Sequence, residues 1–245
     1  MADVLTLPIR AVIAATPRTR ILRLDLKETP FVFRAGQAAL IGLHGQPQRR
    51  PYSIASSPDD AVRHTRLEFL LKVDDAGYAG PHLPQLDRGA RIDLEGPFGS
   101  FSMPEPNPLP DDGGPGGYLF IAGGTGISPL RAMMRHLIAS GDRRPICVLY
   151  SARTPDEFAY KTELQRLARR NLIALTLTMT GGLREDADDA WRGERGRISA
   201  SRLAQALPAP DPLCFICGPP ALVDDVPPLL LQLGVKSARI RTEEW

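Results

Sequence analysis

The chain has 245 residues, 43% of them apolar and 24% charged, with a net charge of +2 at neutral pH. That length can bury one large core or two smaller ones, and the composition is that of an ordinary globular protein. No stretch approaches the roughly 18 apolar residues of a membrane span, Met1-Ala2-Asp3 opens no secretory signal, and the basic residues form no concentrated face for nucleic acid.

The expected location is the cytoplasm. Three cysteines, Cys147, Cys214 and Cys217, are too few for a paired disulfide framework or for the four thiolates of an ordinary iron–sulfur cluster. The histidines at 44, 64, 82 and 136 have no metal-like spacing, so no metal is expected. Only four of the thirty basic residues are lysine. The arginine-rich surface suits an acidic protein partner, and a compositional habit explains it equally well.

Through the first hundred residues, short apolar segments recur between turn signals at 8–14, 20–26, 38–43, 51–56, 65–73 and 90–95. The clearest strand carries Leu67, Phe69, Leu71 and Val73 on alternate positions, one face of a strand. Six short strands with one brief helix candidate, His82–Leu86, predict an antiparallel barrel or sandwich. Residues 102–117, SMPEPNPLPDDGGPGG, then forbid regular structure almost throughout.

Beyond that join the rhythm lengthens. A strand at 118–122 enters a glycine turn and a helix at 129–140. There Ser128 is the expected N-cap and Pro129 occupies the first turn. Leu130, Met133, Met134, Leu137 and Ile138 share one helical face as core filler, and Gly141 marks the end. Strands at 146–150, 172–178 and 213–217 alternate with helices at 156–170 and 201–206, and an extended segment closes the chain at 238–242. This alternation predicts a parallel sheet covered on both faces. The helix after Cys217 carries Pro227-Pro228, which removes two backbone donors. A break is expected there, with a second piece from Pro228 to Leu233.

Three stretches carry chemistry. Gly123-Gly124-Thr125-Gly126 lies where a strand becomes a helix, where backbone amides and the helix dipole attract phosphate. By itself it serves a tight turn just as well. Cys217-Gly218-Pro219-Pro220 puts a thiol and a small-residue turn at another strand end. Arg50-Pro51-Tyr52-Ser53 sets a planar cation, an aromatic ring and a hydroxyl within four residues.

Together with Gly36-Gln37 and Gly96-Pro97-Phe98-Gly99-Ser100-Phe101, and in this order, these stretches resemble the ferredoxin–NADP reductase-like flavoproteins across almost the whole chain. The resemblance implies two domains: an antiparallel six-stranded β-barrel that binds FAD over residues 1–104, and an α/β parallel-sheet domain that binds NAD(P) over 118–245. A linker at 105–117 joins them.

It also implies residue roles. Arg50 would neutralise the FAD pyrophosphate, beside Pro51. Tyr52 would pack on the isoalloxazine (or serve the barrel core), and Ser53 would donate near flavin N5. Lys72, Gly77 and Gly80 belong to the same flavin site. Gly123, Gly124, Thr125, Gly126 and Pro129 would hold the nicotinamide nucleotide. Ser151 and Arg153 would meet a 2′-phosphate, with Asp156 as the alternative partner of Arg153. Cys217, followed by Gly218, Pro219 and Pro220, would lie against the nicotinamide ring or remain a structural thiol. Glu243 would be a proton-linked carboxylate, and Trp245 a movable cover over the flavin or simply a tail. One position departs from the family's G-x-x-S-x-x-L segment: Gly80 stands at the serine, followed by Pro81. A hydroxyl contact is lost, so FAD is expected to bind less tightly or through other atoms.

The implied activity is hydride transfer from NAD(P)H to FAD, then release of electrons singly to an acceptor, which in the family is a ferredoxin, a flavodoxin, an oxygenase component or a free flavin. Because the chain lacks an iron–sulfur domain, a separate soluble carrier is expected. The alternative is an FAD-binding electron-transfer or regulatory subunit without turnover of its own, which anaerobic addition of NAD(P)H would distinguish.

Overall fold

A computed structural model describes residues 4–27, 29–84, 86–105, 113–181, 191–208 and 211–244. The chain divides into two compact units. The first runs to Met103 and takes in Arg131–Gly141; the second comprises Pro104–Leu130 and the residues from Asp142 onward.

The first unit holds β1 (Val4–Thr16), β2 (Thr19–Asp25), β3 (Ala38–Leu43), β4 (Arg50–Ser53), α1 (Pro58–His64), β5 (Arg66–Lys72) and β6 (Arg91–Phe98). The strands form one antiparallel sheet in the order β4-β3-β6-β1-β2-β5. β1 is long enough to serve two neighbours, pairing through Val4–Pro8 with β6 and from Ile9 onward with β2. The sheet closes where its ends meet: Ile54 bridges to Phe69, and the Ala55 N–H donates to the Glu68 carbonyl at 2.7 Å. Closure removes the exposed edges that an open sheet would leave. Leu22, Leu24, Ile41, Phe69, Ile92 and Leu94 fill the interior.

Two expectations are corrected here. Among the described residues of His82–Leu86 there is no helix: residues 82–84 turn, with the Leu83 N–H donating to the Gly80 carbonyl. The helix lies instead at α1. Ser57 caps it by accepting from the Asp60 N–H at 3.1 Å, Pro58 starts it, and Asp59 and Asp60 sit in its first turn. Seven residues show no periodicity, so only the capping chemistry announces it. β5, in turn, is buried on both faces, because Glu68 and Leu70 are covered as fully as the predicted apolar set. Glu68 is held by Arg23 at 2.8 Å and Arg131 at 3.1 Å. Arg131 also donates to the Ala55 carbonyl at 2.7 Å. A buried carboxylate needs such partners to offset its desolvation.

The second unit is built on a parallel sheet of β7 (Tyr118–Gly123), β8 (Ile146–Ala152), β9 (Ala174–Met179), β10 (Glu194–Arg195), β11 (Leu213–Gly218) and β12 (Ile240–Glu244), in the order β10-β9-β8-β7-β11-β12. Helix α2 (Ile127–Ala139) starts in this unit and its residues from Arg131 belong to the first, while the other helices here are α3 (Lys161–Arg169), α4 (Ala200–Ala206) and α5 (Pro220–Gln232). Leu119, Ile121, Cys214 and Ile216 point to a core with Leu203 of α4 and Val226 and Leu230 of α5. Phe120 and Phe215 stack on the opposite face, ring centroids 5.6 Å apart.

The helix starts differ from expectation. Gly124–Gly126 already winds as a 3-10 turn, and the Ile127 N–H bonds back to Gly124. Ser128 is therefore inside α2 rather than its cap. α3 begins only at Lys161, after Tyr160 in the left-handed region. α5 runs unbroken through Pro227 and Pro228. Two carbonyls lose their donors: that of Asp224, to Pro228, lies on an exposed residue and that of Val223, to Pro227, on a half-buried one, while Val226 and Leu230 are buried. Packing of that apolar stripe outweighs the proline penalty of roughly 3 kcal/mol per residue.

α1 is tied to Arg131–Gly141 by ion pairs within the first unit. Asp60 takes two hydrogen bonds from Arg135, the one from Nη2 at 2.6 Å, and Asp59 meets His136 Nδ1 at 2.8 Å. Burial pushes the Asp60 carboxyl up, but the Arg135 hydrogen bonds and charge outweigh it and hold the pKa at about 2, below the ordinary 3.8. The unfolded chain therefore takes up this proton first. The stabilisation is complete above about pH 4 and lost as pH falls toward 2. Asp60→Asn is expected to lower the melting temperature at neutral pH and to converge on wild type across that window, measured by circular dichroism; a constant difference from pH 7 to pH 2 would contradict it.

Candidate functional site

The sheet order of the second unit has one reversal. The chain lays down β7, β8, β9 and β10 outward, then crosses back to place β11 and β12 on the other side of β7. Ligands of open parallel sheets bind beyond the carboxyl ends of the strands at such a reversal. Both small-residue turns of this unit lie there. Cys217 is in register with Ala122, and the turns pack backbone on backbone. A Cβ at Gly126 would fall 2.1 Å from the Cys217 carbonyl oxygen, and one at Gly218 would fall 3.1 Å from the Gly123 backbone. One at Gly123 would meet the Pro219 ring at 2.8 Å. These glycines are required by this approach, whatever else they bind.

Gly124 has φ of +54°, and its carbonyl accepts from the hydroxyl of Tyr150 at 2.9 Å. The same oxygen of Tyr150 accepts from the Ala159 N–H at 3.2 Å. Burial pushes the Tyr150 phenol well above its usual range, so it stays a donor. Sequence reasoning missed this buried prop; its only trace is a tyrosine in an otherwise aliphatic strand.

Cys217 and Glu243 are register partners on β11 and β12, and the thiol donates to Glu243 Oε2 at 3.9 Å. Burial, with the nearby Glu243 carboxylate, pushes the Cys217 thiol far up. It is a neutral thiol at physiological pH. Cys214 faces the α4–α5 core, so the two cysteines point to opposite sides of the strand, as strand alternation requires.

The remaining residues of this unit are spread around the same strand ends. Thr125 is the middle residue of the 3-10 turn, and Pro129 lies in the first turn of α2. Pro220 opens α5. Ser151 pairs in register with Gly123. Arg153 lies beyond β8 with its side chain exposed, and its carbonyl accepts from Gly181 at 2.8 Å; Asp156 accepts from Thr154 Oγ1. Trp245 lies outside the described residues.

In the first unit the motif strand β4 pairs with β3, just before the closure at Ile54. Arg50 and Pro51 are exposed, and Tyr52 and Ser53 half-buried. Alternation puts Arg50 and Tyr52 on one face. Tyr52 is joined there by a residue the sequence reading did not single out: its hydroxyl meets His82 Nε2 at 2.8 Å, with the two rings 5.7 Å apart. Burial pushes the Tyr52 phenol up to about 12, against a smaller downward pull from Arg50. Burial and the Arg50 charge both lower the pKa of His82. Gly77 and Gly80, at φ of +88° and +107°, shape the loop that carries His82. Lys72 ends β5, exposed, opposite Thr19.

Tyr150→Phe is expected to leave the Gly124 carbonyl and the Ala159 N–H without their buried partner. It should lower stability by about 1–3 kcal/mol in urea unfolding, and an unchanged midpoint would contradict this role for the hydroxyl.

Residues 6–103 match the family model of the oxidoreductase FAD-binding domain, and residues 120–227 that of the oxidoreductase NAD-binding domain. Ferredoxin--NADP reductase B of Sorangium cellulosum is 32% identical, with 88% of this chain aligned to 86% of that protein. NADH-cytochrome b5 reductase 1 of Kluyveromyces lactis is 29% identical over 95% of this chain and 81% of its own. Among solved structures, the ferredoxin reductase of carbazole 1,9a-dioxygenase superposes with a TM-score of 0.78 at 27% identity, over 99% of this chain and 70% of that one. With both family models in order and such relatives along nearly its full length, the chain belongs to the ferredoxin–NADP reductase-like flavoproteins and is an NAD(P)H-dependent, FAD-binding reductase.

Proposed function

We propose that this reductase takes reducing equivalents from NAD(P)H and delivers them singly to a separate soluble protein carrier of ferredoxin or flavodoxin type. The observation that carries the reading is the gathering of both small-residue turns, Cys217 and Glu243 at the sheet reversal of one unit, in a chain whose other unit carries the Arg50–Ser53 motif on β4.

The residues fit the two nucleotides. Arg50 offers an exposed guanidinium for a pyrophosphate, a pairing suited to its planar fork. The half-buried ring of Tyr52 offers a face to a flat heterocycle, and Ser53 supplies a hydroxyl beside it. Gly77 and Gly80 let the backbone come close, with Lys72 at the neighbouring strand end. On the other unit, Gly123, Gly124, Thr125 and Gly126 form the turn into α2, where the helix dipole favours phosphate, and Pro129, Gly218, Pro219 and Pro220 complete that turn pair.

FAD, when bound, supplies the chemistry: it accepts hydride and releases electrons one at a time. The chain's own residues position and shield. The neutral Cys217 thiol packs as a small polarizable group and does not act as a nucleophile. Glu243, within reach of that thiol, is the carboxylate that can hold a proton at the site. Ser151 and Arg153, at the end of β8, are placed to recognise a 2′-phosphate. The relatives' named acceptors, ferredoxin and cytochrome b5, support a protein acceptor. With twenty-six of thirty basic residues being arginine, its docking surface is expected to be acidic.

Anaerobic mixing with NADH or NADPH should bleach the flavin absorbance within seconds, and cytochrome c reduction should then depend on added ferredoxin or flavodoxin. Bleaching without carrier dependence would remove the proposed acceptor. Arg153→Ala is expected to raise the KM for NADPH by about tenfold and leave NADH unaffected; equal losses for both nucleotides would place the 2′-phosphate elsewhere.

A further inference from the structure

The family's serine is missing at Gly80, and the space it would need is taken. Gly80 has φ of +107°, which strains any other residue, and a Cβ there would lie 3.3 Å from His82 Nδ1. The imidazole is fully buried, and its backbone is pinned by the Leu43 N–H, which donates to the His82 carbonyl at 3.0 Å. Nε2 meets the Tyr52 hydroxyl. Nδ1 is buried and has no hydrogen-bond partner among the described residues.

That asymmetry selects a tautomer. A neutral imidazole carries one N–H. With the proton on Nδ1, a buried donor would be orphaned against Gly80. With the proton on Nε2, the orphan is a bare acceptor, the less costly of the two. His82 also stays neutral, because burial and the Arg50 charge both disfavour its protonation. Nε2–H therefore donates to Tyr52 Oη, and the phenol must turn its own proton elsewhere. On that face of β4 the neighbouring group is Arg50, the pyrophosphate cation of the reading above.

We propose that His82 is a positioning residue for FAD: by donating to Tyr52 it aims the Tyr52 O–H at a phosphate oxygen held by Arg50, in place of the hydroxyl lost at Gly80. The inference rests on the assignment of Arg50 and Tyr52 to the flavin site. Gly80 and His82 then form one replacement. The glycine clears the room, and the histidine relays the contact through a residue already at the site.

Apoprotein titrated with FAD and followed by flavin fluorescence tests it. Tight binding by wild type, weakened in Arg50→Gln, decides the underlying assignment. Tyr52→Phe and His82→Phe should each weaken FAD by about three- to tenfold, and the double variant no further than either alone. His82→Gln, whose amide can still donate to Tyr52, should bind more tightly than His82→Phe. Additive losses, or wild-type affinity in His82→Phe, would overturn the proposal. Should His82→Phe not fold, 15N NMR of the wild-type imidazole decides the matter: a protonated Nε2 is the expected result, and a protonated Nδ1 overturns it.

Discussion

The second unit depends on two strand ends touching through backbone alone. Gly126 stands so near the Cys217 carbonyl, and Gly218 so near Gly123, that no side chain fits between the turns. This contact brings the ends of β7 and β11 together at the one reversal of the sheet. It sets the start of α2 against the Cys217 backbone carbonyl. Tyr150 braces the arrangement from below, spanning Gly124 and Ala159 with one buried oxygen.

The first unit solves a different problem, that of keeping charge inside a closed barrel wall. Glu68 sits on the second face of β5 between Arg23 and Arg131, and Arg131 also satisfies the Ala55 carbonyl where the barrel closes. Asp59 and Asp60 of α1 repeat the arrangement with His136 and Arg135. Such pairs contribute modest net stability, since desolvation offsets much of the attraction. Their value lies in direction: each carboxylate admits only the geometry that satisfies it.

The chemistry of the two units has a common character. Cys217 is neutral, Tyr52 and Tyr150 remain protonated, and His82 is held uncharged. Burial does this in each case. Uncharged, these groups hold their hydrogen bonds and packing without exchanging protons at physiological pH.

Motif spacing, strand alternation and the change of rhythm near residue 105 were sufficient, from the sequence, for a barrel followed by a parallel sheet, for the small-residue turns at the strand ends, and for the opposite facing of Cys214 and Cys217. Those features are local or periodic, so the order of residues carries them. Helix α1, the unbroken α5 and the buried second face of β5 were not legible. A seven-residue helix has no period, and whether packing overrides two prolines or covers Glu68 depends on residues far along the chain. The same holds for His82, thirty residues from Tyr52. A lone histidine in a loop signals nothing until the fold closes it against a phenol and leaves one ring nitrogen without a partner.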